Sequence, residues 1–564
     1  MCEPLRTPVA IAGGGPVALM LALFLDHHGI PSTVFGTGRP RCDEPRGTLH
    51  DARTMEHYRR LGVSGPIRRL GPAAGHPTDI AYFTRYNSPE LSRLPQPALT
   101  QRLRQVAAAP RTDQLPEPAH RADQASVGDL LCEHARTRPN ITLLGGRQIT
   151  GLDQDAGQVR VRAGHPGRPD EEWTARYAVV SDAGPGFVQQ ELGIRYEGPA
   201  TGAPGRADTG HRATAAHLRL PTFHREVLSG QPAWSYWAVN ADLVVNLIAL
   251  NGEDEFFLLT GSVDPDTADA ARLTDLVRCA AGTDLPVEVL SHSSRVPGAE
   301  LVAERFVKGR VLLAGDSAHL FTPDSGFGLN TGVDGAANLA WKLAAVLQGW
   351  GGPGLLATYG SERRPIALRN TAAARELHAS MAQIERPTAL DADTPVGVEA
   401  RDRVGGLLSC HGRRTDAIGI QLGVRYDGSP IVVPDADAEI PGDPWGMYLP
   451  TSVPGGRAPH LWLDDWHGRG SSLFDRLTPG FTLLRLGPEP PSGKPLLAAA
   501  QAHGMPLQIL DVDDRPARDL YERDLVLIRP DQHVAWRGNQ LPTDPGDLVA
   551  RVTGAGLALT GRRT

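Results

Sequence analysis

Two glycine-bearing segments carry residue types and spacings that could do chemistry. GGGPVA at 13–18 stands between an apolar run, PVAIA at 8–12, and a helical pattern that continues to about His28. Gly13 permits a tight turn and Gly15 lets a phosphate approach the backbone. Pro16 and Val17 open a helix whose free N–H groups and dipole favour an anion, and Ala18 allows close helix–sheet packing. An ordinary glycine-rich turn would also account for these residues. The second segment, GRVLLAGDSAHLFTPDSGFGLNTG at 309–332, is more specific. A buried strand ends in Gly315-Asp316, Pro323 makes a turn, and Gly326, Phe327, Gly328, Leu329 and Asn330 open another helix. Asp316 is a carboxylate at a strand end, suited to accept from sugar hydroxyls. The N–H groups near 328–330 suit an electron-rich ring edge.

The elements that must position these groups follow from periodicity. STVFG at 32–36 reads as a second short strand, and HDARTMEHYRRLG at 50–62 as a helix ended by Gly62. Residues 64–120, rich in Pro, Gly and Arg, read as irregular, and 123–137 as a helix. ITLLGG, VRVRAG and YAVVSDAG read as strands. Residues 213–262 alternate apolar and polar, which predicts an antiparallel sheet inserted into the α/β pattern. A helical region runs from about Thr331 to Asn370, residues 385–440 read as loop-rich, and a separate α/β unit closes the chain.

Composition limits the function. The chain has 564 residues, is 41% hydrophobic and 21% charged, and carries a net charge of −7 without acidic or basic blocks. That argues against nucleic acid and an anionic membrane as partners. The longest apolar run, ALMLALFL at 18–25, is too short to span a bilayer, and MCEPLRTP lacks a secretory apolar segment. The five cysteines are scattered with no CxxC, which reads as free thiols, a cytoplasmic protein and no metal site.

The two glycine motifs together, with YGSERRPIALRN at 359–370, resemble the class A FAD-dependent monooxygenases, the para-hydroxybenzoate hydroxylase-like aromatic and polyketide hydroxylases. The likeness spans about residues 8–375. PGGRAPHLWL and LVLIRPDQHVAWRG resemble the thioredoxin-like C-terminal domain of phenol and polyketide hydroxylases, here without CxxC. The resemblance implies an α/β fold: a Rossmann-like FAD-binding domain of the GR2 type, an inserted antiparallel-sheet substrate domain and the thioredoxin-like domain. On this scheme residues 1–75, 121–200 and 296–390 form the FAD-binding domain. Residues 76–120 and 201–295 form the substrate domain, 391–430 a linker and 431–564 the C-terminal domain. It further implies FAD, reduced by NADPH, and hydroxylation of an aromatic or polyketide-like small molecule in bacterial secondary metabolism through a flavin C4a-hydroperoxide, by a monomer or homodimer. By matching position Gly13, Gly15, Pro16, Val17, Arg46, Gln124, Asp182, Gly315, Asp316, Pro323, Gly326, Gly328, Leu329 and Asn330 would bind the flavin. No catalytic side chain is assigned.

Five positions depart from the family pattern. Gly36 stands where relatives carry the ribose-binding Glu. In SDAGPGFVQQELGI at 181–194 Asp182 survives, but Ala183 stands for Gly, Gly186 for Ser and Gln189 for Arg. Gly335 stands where relatives carry Asp. Arg39 or Arg41 beside Gly36 offers a preference for a 2′-phosphate as a further reading. The departures leave two functions open: a working FAD monooxygenase, or a related scaffold with little redox activity that runs a redox-neutral [4+2]-type cyclisation or rearrangement of a polyketide. For the substrate pocket, WSYWAVN at 234–240 is read with Trp234 and Tyr236 on one strand face and Trp237 on the other, joined by Tyr82, Arg85 and Phe327. His319, His50 and Asp51 read as structural.

Overall fold

The computed structural model describes residues 5–36, 47–165, 167–182, 184–198, 213–264, 266–295, 300–321, 326–414, 417–463 and 471–557. Arg39, Arg41, Arg46, Ala183 and Pro323 lie outside these residues. Leu5–Ala12 is the centre of an eight-stranded sheet, flanked on one side by Ser32–Gly36 and Ile141–Gly145 and on the other by Arg168–Val180 and Val311–Leu313. All these neighbours pair in parallel. The Arg168–Val180 strand continues into an antiparallel arm with Val159–His165. The helix Pro16–His27 has Pro at its start, and ten of its twelve residues are buried. Its near-continuous apolar sequence is what a helix covered on both sides requires. It packs between the sheet, the helix Gln124–Arg136 and the long helix Phe327–Gln348.

The predicted inserted sheet is present and larger than 213–262 indicates. Seven strands run in the order Glu288–Arg295, Ala213–Arg219, Glu255–Thr260, Val244–Ala249, Ser235–Val239, Ile80–Phe83, Glu90–Leu94. The Ile80–Phe83 strand joins it in parallel, so the sheet is mixed. One face, with Ala216, Leu218, Tyr236, Leu247 and Phe256, forms a closed core with the helix Ala270–Ala281. Residues 64–120 are therefore not irregular: they hold the last two strands of this sheet and a helix, Leu99–Ala108. Likewise 385–440 contains a 20-residue helix, Pro395–Arg414, packed on the edge strand Glu90–Leu94. The predicted 331–370 helix is two helices, Phe327–Gln348 and Ala357–Ala382.

The C-terminal sheet has the order Leu507–Val512, Phe481–Leu486, Leu525–Ile528, Val534–Gly538. Its first pair is parallel and the rest antiparallel, with helices Lys494–His503, Arg515–Tyr521 and Pro545–Val552 following the strands. That is a thioredoxin-like arrangement. No helix of the described residues is long and apolar enough to cross a membrane.

Candidate active site

Three turns distant in sequence meet at the C-terminal ends of adjacent parallel strands. Leu5–Ala12 leads into Gly13–Pro16, Arg168–Val180 into Ser181-Asp182, and Val311–Leu313 into Gly315-Asp316. The backbone ties them: Ser181 N–H donates to Ala12 O at 2.9 Å, Ala314 N–H to Val180 O at 2.8 Å and Ser317 N–H to Ser181 O at 3.0 Å. Gly13 has φ +131° and Gly315 φ +49°, both in the region that favours glycine. A Cβ on Gly13 or Gly15 would lie 2.7 or 2.8 Å from the Asp182 carboxylate. A Cβ on Gly332 would lie 2.7 Å from Val17 Cγ2 and 3.5 Å from Gly315 Cα, so the long helix abuts both motifs there. Sequence reading did not single out Gly332; a glycine inside a long apolar helix is the signal that marks such an approach.

This donor set fits the pyrophosphate of a dinucleotide. The helix Pro16–His27 has no side-chain cap of its own and no acid in its first turn. The Asp182 carboxylate accepts from Gly15 N–H at 2.5 Å, so an anionic oxygen already takes the position the helix dipole favours. Two buried polar atoms beside the Gly315-Asp316 turn, Ser181 Oγ and His319 Nδ1, have no protein partner. Asp316 is exposed at the turn, and Gln124 opens its helix half-buried after the N-cap Asp123.

The Gly326–Asn330 loop is fixed from below. Asn330 is buried; its Nδ2 donates to Leu49 O at 3.0 Å and Gly326 O at 2.7 Å, and its Oδ1 accepts from Asp51 N–H at 3.1 Å. Its side chain is thus spent on the loop, leaving backbone groups for a ligand. Gly326 has φ +67°, and Leu329 packs partly into the main core. Phe327 is buried with Ala374 and Ile420. His319 is buried against Phe321, with ring centroids 5.0 Å apart, and burial, followed by Arg363, lowers its pKa to about 3. It is neutral at moderate pH, with one ring N–H and no imidazolium proton.

The departures look different in three dimensions. A Cβ on Gly36 would lie 3.2 Å from Gly14 Cα, so position 36 does abut the glycine turn. Gln189 is exposed on the short helix Pro185–Leu192. Beside Gly335 the same helix carries an acid one residue earlier, Asp334. Asp334 is buried and accepts from Arg363 Nη1 at 2.5 Å and Arg53 Nε at 3.2 Å, with His57 Nε2 at 3.0 Å. A Cβ on Gly335 would lie 3.5 Å from Arg363 Nε, so either helix position reaches that guanidinium.

The pocket reading also changes. Tyr82 and Trp237 share one sheet face and stack, with centroids 6.2 Å apart. Trp234 joins that cluster. Tyr236 does not: it lies in the closed core, its hydroxyl accepting from Ala233 N–H at 2.7 Å and its ring against Phe223 and Phe256. Arg85 ties the sheet to other elements, donating to Cys279 O at 2.7 Å and pairing with Asp391 at 3.2 Å.

Against this geometry, the sequence profile of the FAD binding domain family matches residues 6–374, and that of the aromatic-ring hydroxylase C-terminal domain matches 451–555. The chain belongs to this family of FAD-dependent monooxygenases. It is similar to the FAD-dependent monooxygenase apdD of Emericella nidulans, 27% identical over 97% of this chain and 90% of that protein. The tetracenomycin B2 monooxygenase-dioxygenase of Streptomyces olivaceus is 27% identical over 99% and 100%. Among solved structures, RebC with bound 7-carboxy-K252c is 34% identical over 98% of this chain and 100% of that one, with a TM-score of 0.86. FAD is the cofactor of this fold, and the chain is an oxidoreductase of the flavoprotein class.

Proposed function

We propose that the chain hydroxylates a flat aromatic natural product bound between the seven-stranded sheet and the flavin. The observation that carries the reading is the meeting of the three turns at the strand ends, the place where open α/β sheets take their ligands. FAD, reduced by NADPH, supplies O₂ activation and transfer of one oxygen atom. The chain's own residues bind and orient. The glycine turn and the N-terminus of the helix Pro16–His27 would hold the pyrophosphate, Gly15 N–H exchanging the Asp182 carboxylate for it, and Asp316 would accept from the ribityl hydroxyls. The backbone at Gly328–Asn330 receives the ring edge. The half-buried Trp237, backed by the buried Tyr82 ring, offers an apolar face to a flat ligand. The relatives' names, a tetracenomycin monooxygenase and RebC holding 7-carboxy-K252c, support an aromatic natural product as the substrate class.

A redox-neutral cyclisation on the same scaffold draws on Gly36, which offers no side chain to the ribose, and on Gln189, which stands in place of a cation. The absorption spectrum of the purified protein with added FAD separates the readings. A flavin band bleached by NADPH and restored by air is expected. A band that NADPH leaves unchanged would remove the monooxygenase reading. Asp316→Ala should lose the flavin; unchanged flavin content would sink the placement of the site.

A further inference from the structure

Tyr359 opens the segment YGSERRPIALRN, which the family resemblance marks, and it reaches the Gly315-Asp316 turn. Its ring is 2% exposed and its hydroxyl donates to Leu313 O at 2.8 Å. From a different element, the short strand Tyr196–Glu197, the Tyr196 hydroxyl donates to Ser317 O at 2.6 Å. The two carbonyls stand on either side of Ala314, Gly315 and Asp316. Burial raises the pKa of both phenols above its ordinary value, so each keeps its proton and stays a donor at any moderate pH. Such outside support is what this turn requires. Glycine at 315 permits the φ of +49° but brings conformational freedom that other groups must remove. The helix Gly315–Ala318 has only four residues, too few to hold its geometry by its own hydrogen bonds. On the side of the glycine turn, Ser317 N–H bonds to Ser181 O at 3.0 Å, and a Cβ on Gly315 would lie 3.1 Å from Ser181 Oγ. Asp316 is the one exposed residue of 311–319. The fastened turn therefore presents a single carboxylate.

We propose that Tyr196 and Tyr359 are positioning residues that clamp this turn from two sides and aim the Asp316 carboxylate at the ribityl hydroxyls of FAD. The inference rests on the cofactor placement given above. Each phenol acts through the backbone rather than on the cofactor. Loss of either hydroxyl leaves a carbonyl unmet; the turn then rotates that carbonyl toward water and carries Asp316 out of position. The pyrophosphate and adenosine, held at Gly13–Pro16, do not depend on the clamp.

The test is equilibrium dialysis of the full-length, flavin-free protein against FAD and against ADP, which carries the pyrophosphate and adenosine but no ribityl chain. Tyr196→Phe keeps the ring and removes the donor. It should weaken FAD about tenfold, the worth of one hydrogen bond whose acceptor is left unmet, with ADP affinity unchanged. Tyr359→Phe should act in the same direction with the same selectivity. In an Asp316→Ala background Tyr196→Phe should change nothing, because the group it aims is gone. FAD affinity at the native value in both phenylalanine variants overturns the clamp. Equal weakening of FAD and ADP, the mark of a general loosening, overturns it as well, and so does a full loss that persists without Asp316. If Asp316→Ala alone leaves FAD affinity at the native value, the cofactor placement falls, and the clamp with it.

Discussion

Asp51 shows what burial does to a single carboxyl. It caps the helix Ala52–Arg60, accepting from Thr54 N–H at 2.7 Å, and burial, opposed by the Thr54 bonds, raises its pKa from 3.8 to about 7. Between those two values the folded protein holds a proton that the unfolded chain has lost. Stability from this group therefore falls as pH rises from about 4 to about 7, and the full penalty is present above 7. Asp51→Asn keeps the capping oxygen and removes the charge. It should stabilise the protein by about 1–3 kcal/mol at pH 8 and by little at pH 4, read as the difference between thermal melts at the two pH values. Equal shifts at both would mean that the carboxylate is better solvated than its position implies. Gly36 makes the complementary case, a missing carboxylate. Gly36→Glu should tighten FAD about tenfold, the worth of one charge-assisted hydrogen bond, provided Gly14 yields by a few tenths of an ångström. Equilibrium dialysis of FAD against both proteins decides it; unchanged affinity places the adenosine ribose elsewhere.

At the scale of elements, the long helix Phe327–Gln348 reaches the glycine turn through Gly332 and is tied to the strand Leu49–His50 by Asn330. Asn330→Leu removes three hydrogen bonds and leaves Leu49 O and Asp51 N–H unmet. It should lower stability by about 2–4 kcal/mol in denaturant titration, with FAD affinity falling in step. Retained affinity in a destabilised variant would show that the loop's geometry does not depend on this tie. Elements with one buried face were legible from sequence: the period-two stretch 213–262 buries one face against a helix, and the all-apolar helix Pro16–His27 is covered on two sides. The helix Leu99–Ala108 was not legible because none of its residues is buried, so no apolar stripe marks it. The helix Pro395–Arg414 was hidden by its glycines. One of them, Gly405, allows close packing, since a Cβ there would lie 2.2 Å from Leu91 O. The pocket aromatics were mis-sorted because the strand begins at Ser235, leaving Trp234 outside the alternation that governs Tyr236 and Trp237. The glycine turns were legible as motifs; the buried ion pairs around Asp334 were not, because Arg53 and His57 stand 281 and 277 residues from it in the chain.

Those ion pairs explain how the whole molecule is held. Arg53 Nη1 donates to Gln532 Oε1 at 2.7 Å and Arg53 Nη2 to Asp531 O at 2.9 Å, joining the helix Ala52–Arg60 to the C-terminal unit. Gln532 holds φ +68°, a conformation that a non-glycine residue adopts only where its surroundings enforce it. Deeper in the interface, Glu362 accepts from Lys342 Nζ at 2.6 Å and from Arg529 Nη1 and Nη2 at 2.7 and 2.9 Å. Ser429 Oγ and Asn338 Nδ2 also donate to it, at 2.6 and 2.7 Å. Lys342 belongs to the helix Phe327–Gln348 and Arg529 to the C-terminal unit, so one carboxylate couples that unit to the FAD-binding domain. Arg529 and Lys342 hold the Glu362 carboxyl well below the usual range, and it stays ionised in the folded protein at any moderate pH. Breaking such a buried set by removing one charge costs more than the set contributes, because Lys342 then stays buried without the counter-charge it pairs with, while Arg529 keeps Asp531 at 2.6 Å. Glu362→Gln preserves shape and should cost about 3–5 kcal/mol. The penalty should be largest near pH 5 and shrink towards pH 8, because burial already lowers the Lys342 pKa to about 8 and the loss of Glu362 lowers it further, so the folded variant sheds a proton there that the unfolded chain keeps. Calorimetry of the variant should show the C-terminal unit melting ahead of the rest, with flavin released in that first transition. If the unit melts early and the flavin stays bound, the appendage is a passenger; if the flavin leaves with it, residues 529–533 help to set the flavin-facing helix in place.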